Sequence, residues 1–247
     1  MARANDRTMV EMDEKAVDGK VIEVRDLDVY LKVRDGRLHV VRGISFDLRA
    51  GETLVTVGES GCGKSMTARA LMRRLPDDVA EVPGSSRILY KGQDLLGRTE
   101  REMQRVRGRS LAMVFQDPST SLDPTLTIGE QVEETLLLHT KLRGPERRLR
   151  VLEMLHAVGI SNPETRMRQY PHELSGGMRQ RVMIASALIA MPRVLIADEP
   201  TTALDVTTQA DILDLIRELQ RRFDLSVLLV THDLGVASEV GDRIQVM

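Results

Sequence analysis

The run Gly58-Glu59-Ser60-Gly61-Cys62-Gly63-Lys64-Ser65 constrains this chain more than any other feature. It reads G-x-x-x-x-G-K-[ST], and it lies between a β-type apolar run, Thr53–Val57, and a helical pattern from Gly63 to Leu75. Three glycines allow successive N–H groups to turn toward one point, and the helix that follows adds its positive end. Such a cradle suits the phosphates of a nucleotide. Lys64 then supplies a charge to the β- and γ-phosphates, and the Ser65 hydroxyl is placed to ligate Mg²⁺.

The rest of the chain is read outward from this loop. Short β-rich runs at Val21–Val24, Val29–Val33 and Leu38–Leu48 precede it, separated by turn residues, and predict an antiparallel layer leading into the core strand. Downstream, Arg87–Tyr90 and Ser110–Phe115 read as strands. Residues 128–191 carry helical stretches near Ile128–Leu142, Glu146–Val158 and Ser175–Ala190, with no good strand among them. The expected fold class is therefore α/β, a phosphate-loop NTPase core with an antiparallel β layer and an inserted α-helical lobe. Val194–Ala197 and Val227–Val230 are buried-type strands, and Ile212, Leu215, Ile216 and Leu219 form one apolar helix face between them. Residues 1–20 read as a mobile N-terminal tail and residues 21–247 as one domain. The closing run, Arg243–Met247, begins as a strand and stops without a turn, so the C-terminal region is expected to be truncated.

Two acids, Asp198 and Glu199, end the apolar strand that starts at Val194. Carboxylates there are costly unless a cation or water receives them. Asp198 suits the Mg²⁺ shell, and Glu199 is placed to accept a proton from a water attacking the γ-phosphate. His232 and Gln116 each follow a core strand, at the edge where α/β sheets bind ligands. His232 fits a γ-phosphate contact. The Gln116 amide fits Mg²⁺ or the attacking water. Ser175-Gly176-Gly177 opens a long apolar helix, which makes it an N-cap and a second anion-binding helix end.

Composition narrows the partners. Apolar residues make up 42% and charged residues 29%, with a net charge of -2. Three tyrosines, three phenylalanines and no tryptophan leave no basic, aromatic-rich surface for nucleic acid. The longest apolar stretch, Val182–Met191, is about half of what a bilayer span requires. The N-terminus carries no apolar signal region, so a cytoplasmic chain is expected. Cys62 is the single cysteine, which excludes an internal disulfide.

Taken together, the phosphate loop, Gln116, Leu174–Gly177 with Gln180, Asp198-Glu199, the Ala203-Leu204-Asp205 turn and His232 resemble the ABC-transporter ATPases in order and approximate spacing. Phe115-Gln116-Asp117-Pro118, Tyr170-Pro171-His172-Glu173 and Asp198-Glu199-Pro200-Thr201-Thr202 look like the oligopeptide, dipeptide and nickel importer subfamily. The resemblance implies ATP with Mg²⁺, and catalytic roles for Glu199, His232, Gln116 and Lys64. The nucleotide would touch the whole loop from Gly58 to Met66 as well as Gln116. Ser65, Gln116 and Asp198 would hold the metal. It further implies a head-to-tail dimer, homo- or heterodimeric, in which Ser175–Gly177 of one subunit closes on the phosphate loop of the other, with Asp205 supporting communication between them. Gln116 and the helical lobe would couple hydrolysis to integral membrane permease subunits at the cytoplasmic face of the inner membrane, and an extracytoplasmic binding protein would deliver the solute. Three departures stand out. The family's adenine-stacking aromatic falls at Leu31, leaving its neighbour Tyr30 as the candidate. Cys62 occupies a loop position often held by Ser. Subfamily members usually continue well beyond this C-terminus.

Overall fold

A computed structural model describes residues 19–247 apart from Ala203. Most of the tail expected over residues 1–20 therefore lies outside the described residues, and Lys20 already opens the first strand. In chain order the elements are β1 (Lys20–Val33), β2 (Gly36–Arg49), β3 (Thr53–Val57), α1 (Lys64–Leu71), β4 (Ala80–Glu81), β5 (Arg87–Tyr90), β6 (Gln93–Asp94), α2 (Glu100–Val106) and β7 (Leu111–Val114). They continue with α3 (Pro118–Ser121), α4 (Ile128–His139), α5 (Gly144–Ala157), α6 (Pro163–Arg166), α7 (Gly176–Leu188), β8 (Val194–Asp198), α8 (Val206–Phe223), β9 (Ser226–Thr231), α9 (Leu234–Val240) and β10 (Arg243–Val246).

Two sheets result. β10-β3-β9-β8-β7 form a wholly parallel sheet, and β2-β1-β5-β6, with β4 on β1, form an antiparallel one. Strands β3, β7, β8 and β9 are buried along their whole length, as a parallel sheet covered on both faces requires. Side chains alternate between faces with period two, and the core divides accordingly. Val55, Val57, Leu195, Ala197, Val227 and Leu229 join the core shared with α4, α5, α7 and α8. Leu54, Val194, Ile196, Leu228 and Val230 join the core shared with α1 and the antiparallel sheet.

Between β7 and β8 the chain is helical, as the α/β fold class with a helical insertion predicts. The N-terminal β runs differ in one respect. Val21–Val24 and Val29–Val33 are a single strand, β1, carried past its breaks by register shifts, one of them beside Asp26 at φ 46°. Helix α1 also stops well short of Leu75, because Arg73 adopts a left-handed φ of 46°.

Candidate active site

Every strand end named in the sequence lies on the same edge of the parallel sheet, since β3, β7, β8 and β9 run in one direction. The loop after β3 is built around backbone that other residues would crowd. Gly63 has φ 104°, and a Cβ there would lie 2.6 Å from the Val40 carbonyl oxygen. A Cβ on Gly58 would meet Cys62 Sγ at 2.8 Å. Glu59, Ser60 and Gly61 are exposed, while Gly58 and Cys62 are half-buried. Met66 turns its side chain into the core beneath.

Lys64 is only 4% exposed. Its ammonium donates to the carbonyls of Gly58 at 2.7 Å and Glu59 at 2.8 Å, with Cys62 Sγ at 3.7 Å. The cation thus sits folded into the loop's own concavity. Ser65 Oγ donates to Asp198 Oδ1 at 2.8 Å, which joins the start of α1 to the end of β8. Asp198 is 2% exposed, and burial pushes its pKa upward, reinforced by the neighbouring Glu199 charge. The Ser65 hydrogen bond and the charges of Arg69 and Lys64 act in the opposite direction.

Glu199 leaves the strand in a left-handed conformation, φ 47°, which turns the chain sharply at the end of β8. Its N–H donates to Val230 O at 2.9 Å, which fixes the turn against β9. One oxygen, Oε2, then meets three elements. Thr202 Oγ1 donates to it at 2.7 Å, Gln116 Nε2 donates at 3.3 Å, and His232 Nδ1 lies 3.3 Å away. Gln116 and His232, which the sequence reading took separately from Glu199, thus converge on its carboxylate. Thr202 was not anticipated. Its signal was a hydroxyl three residues after the acid, at the reach of one turn. Arg69, on α1, is likewise new to the site through its charge on Asp198.

Two expected members stand apart. Ser175 caps α7, accepting from Met178 N–H at 3.4 Å, and Gly176 and Gly177 face Leu204 Cδ2 and Thr208 Cγ2 at the start of α8. Among the described residues, no hydrogen bond joins this helix end to the phosphate loop; Ser175 and Gly176 are exposed instead. Tyr30 stacks on His39 of β2, with ring centroids 4.1 Å apart. Asp205 serves as the N-cap of α8, accepting from Thr208 N–H at 3.0 Å and Thr208 Oγ1 at 2.7 Å, and these bonds hold its carboxyl below the usual range. Ala203, in the turn before it, lies outside the described residues.

The sequence profile described as "ABC transporter" matches residues 41–202, which contain the phosphate loop, Gln116, Ser175–Gly177 and Asp198-Glu199. The chain belongs to this family. It is 54% identical over 228 residues to the dipeptide transport ATP-binding protein DppD of Bacillus subtilis, covering 92% of this chain and 68% of that one. It is 50% identical to the oligopeptide transport ATP-binding protein OppD of the same organism, spanning 63% of its length. Among solved structures, the cassette MJ0796 in a dimeric post-hydrolysis state bound to ADP and Pi superposes with a TM-score of 0.80 at 28% identity, covering 92% of this chain and 94% of that one. The two-sheet ABC architecture is therefore shared well beyond the matched motifs.

The donor set of this ABC cassette fits Mg²⁺. Among the described residues no cluster of three metal-ligating side chains occurs; the site offers the Ser65 hydroxyl and the buried Asp198 carboxylate as hard oxygens. Mg²⁺ is commonly held in this way, by one or two protein groups with phosphate and water completing the shell.

Proposed function

We propose that this chain is the ATP-binding and ATP-hydrolysing subunit of an ABC importer that powers uptake of peptides or related small solutes. The observation that carries this reading is the convergence of Gln116, Thr202 and His232 on Glu199 Oε2, beside the Ser65–Asp198 pair and the phosphate loop. The names of the relatives, dipeptide and oligopeptide transport ATP-binding proteins, supply the solute class.

In this reading the loop amides from Gly58 to Met66 surround the phosphates. Lys64 exchanges its two carbonyl partners for β- and γ-phosphate oxygens. Ser65 and Asp198 hold Mg²⁺, with the Gln116 amide able to join them; when bound, the ion neutralises charge on the transferring phosphoryl group. Glu199 accepts a proton from the attacking water as the bond between the β- and γ-phosphates breaks and ADP and phosphate form. Thr202, Gln116 and His232 hold the carboxylate in place, and His232 then faces the γ-phosphate. Ser175–Gly177 of a second ATPase subunit, identical or a sister chain, close the site head-to-tail, in keeping with the exposure of Ser175 and Gly176.

Residues 21–247 form the ATPase unit, and the helices within 128–191 are the lobe that meets integral membrane permease subunits. Leu137 and Leu138 on α4 and Leu149 on α5 are exposed, consistent with a covering partner. No helix among the described residues is long and apolar enough to cross a membrane, so attachment at the cytoplasmic face of the inner membrane comes through the permease. An extracytoplasmic binding protein acts only indirectly, and nucleic acid has no place in the scheme.

The test is Glu199→Gln, which keeps the shape and the hydrogen-bonding reach but removes the base. ATP binding should persist while turnover falls by at least about 100-fold. Retained turnover removes Glu199 as base.

A further inference from the structure

The carboxylate of Glu199 is held unevenly. Thr202 Oγ1, Gln116 Nε2 and His232 Nδ1 all lie on Oε2, at 2.7, 3.3 and 3.3 Å, and among the described residues no hydrogen bond falls on Oε1. The three partners also differ in what else they are needed for. In the ATPase reading above, on which this inference rests, Gln116 goes to the metal shell or the water and His232 to the γ-phosphate. Both side chains are exposed, and they follow separate strands, β7 and β9. We infer that Thr202 is the positioning residue of the base: it is the donor that stays on Glu199 Oε2 when the nucleotide draws the other two away, and Oε1 is the atom that takes the proton.

The sequence builds Glu199 and Thr202 as one unit. Glu199 N–H donates to Val230 O at 2.9 Å, and Thr202 N–H donates to Glu199 O at 3.3 Å, which closes a four-residue turn. Pro200 holds the second position of that turn, with φ fixed by its ring, and Thr201 packs inward, 8% exposed. A hydroxyl three residues after the acid is thereby returned to the acid's own side chain, whereas Gln116 and His232 reach it from other elements. A hydrogen bond to an ionised carboxylate is shorter and stronger than one between neutral groups. Held in this way at Oε2, the side chain presents Oε1 to the water. As the water oxygen bonds to the γ-phosphorus, its proton passes to Oε1, and the bridging P–O bond breaks with its electron pair leaving on ADP. A carboxylate free to rotate would spend less time in that geometry.

The experiment compares steady-state ATP hydrolysis by the unaltered chain with Thr202→Val, which keeps the branched shape and removes the hydroxyl. kcat should fall about tenfold while KM for ATP stays within about twofold. Thr202→Ser, which returns the hydroxyl, should recover most of the loss. An unchanged kcat in Thr202→Val overturns the inference. So does a loss that appears in KM, or one that Thr202→Ser does not recover, since either marks Thr202 as a structural residue of the turn. If the unaltered chain hydrolyses no ATP, the ATPase reading falls and this inference with it.

Discussion

Asp198 shows how a single residue sets function against stability. Its folded pKa lies above its unfolded one, chiefly from burial, so the folded state holds the proton more tightly. The stability linked to it is fully present below the unfolded pKa and is lost as pH rises through the folded value. Above that value the ionised carboxylate is a net cost to folding, which a cation held with Ser65 would offset. Asp198→Asn keeps an acceptor for Ser65 and removes that cost. Its thermal midpoint at pH 7 should exceed the parent's, the difference should shrink on acidification, and Mg-ATP hydrolysis should be lost; a lower midpoint at pH 7 refutes the argument. Cys62 gives a second residue-scale outcome. Its thiol is half-buried, 3.7 Å from Lys64 Nζ, and a reagent attached there would fill the space the phosphates need. A thiol reagent should block nucleotide binding, and Mg-ATP added first should protect; because the chain has one cysteine, labelling stoichiometry reads this site alone. Equal labelling with and without ATP sinks the idea.

At the scale of elements, legibility followed the period of the side chains. The buried strands β3, β7, β8 and β9 were readable because their apolar runs end in turn residues or acids. Asp198 closes such a strand and Glu199 follows it, while Lys64 and Ser65 open the helix after the glycine loop that leaves β3. The β1–β2 hairpin was less legible, since its register shifts are settled by pairing across strands and leave no local sign. The resemblance offers Tyr30 as the candidate for adenine, and its ring lies against His39, a partner that only strand pairing brings near. Helix α7 was readable by its cap, but its packing was not. A Cβ on Gly177 would lie 2.7 Å from Thr208 Cγ2, and Thr208 is held by two bonds to Asp205 at the start of α8. Gly177→Ala gains up to about 1 kcal/mol of helix propensity yet forces two fixed helix ends apart, an overpacking cost of about 1–3 kcal/mol. The denaturant midpoint should fall, and an unchanged or raised midpoint would show that α8 yields easily.

For the whole molecule, the decisive fact is the separation, within one chain, of the phosphate loop and the Ser175-capped end of α7. The phosphate loop looks onto Asp198 and Glu199, whereas Ser175 and Gly176 are exposed at the end of α7 and hydrogen-bonded to no part of that loop among the described residues. Sequence order alone could not tell whether the two would meet inside one fold. A second copy brings them together if each supplies what the other lacks, and MJ0796, similar over 92% of this chain, is dimeric in its ADP- and Pi-bound state. Blocking hydrolysis should hold such a sandwich closed. Glu199→Gln with Mg-ATP, followed by size-exclusion chromatography with light scattering, should therefore give twice the 27.7 kDa chain mass, reverting to one on nucleotide removal. Ser175→Glu, which sets a carboxylate against the phosphates if a second copy's loop closes there, should abolish the doubling while leaving ATP binding to the monomer intact. A Glu199→Gln chain that binds ATP and stays monomeric would rule out self-pairing and require a sister subunit to complete the site.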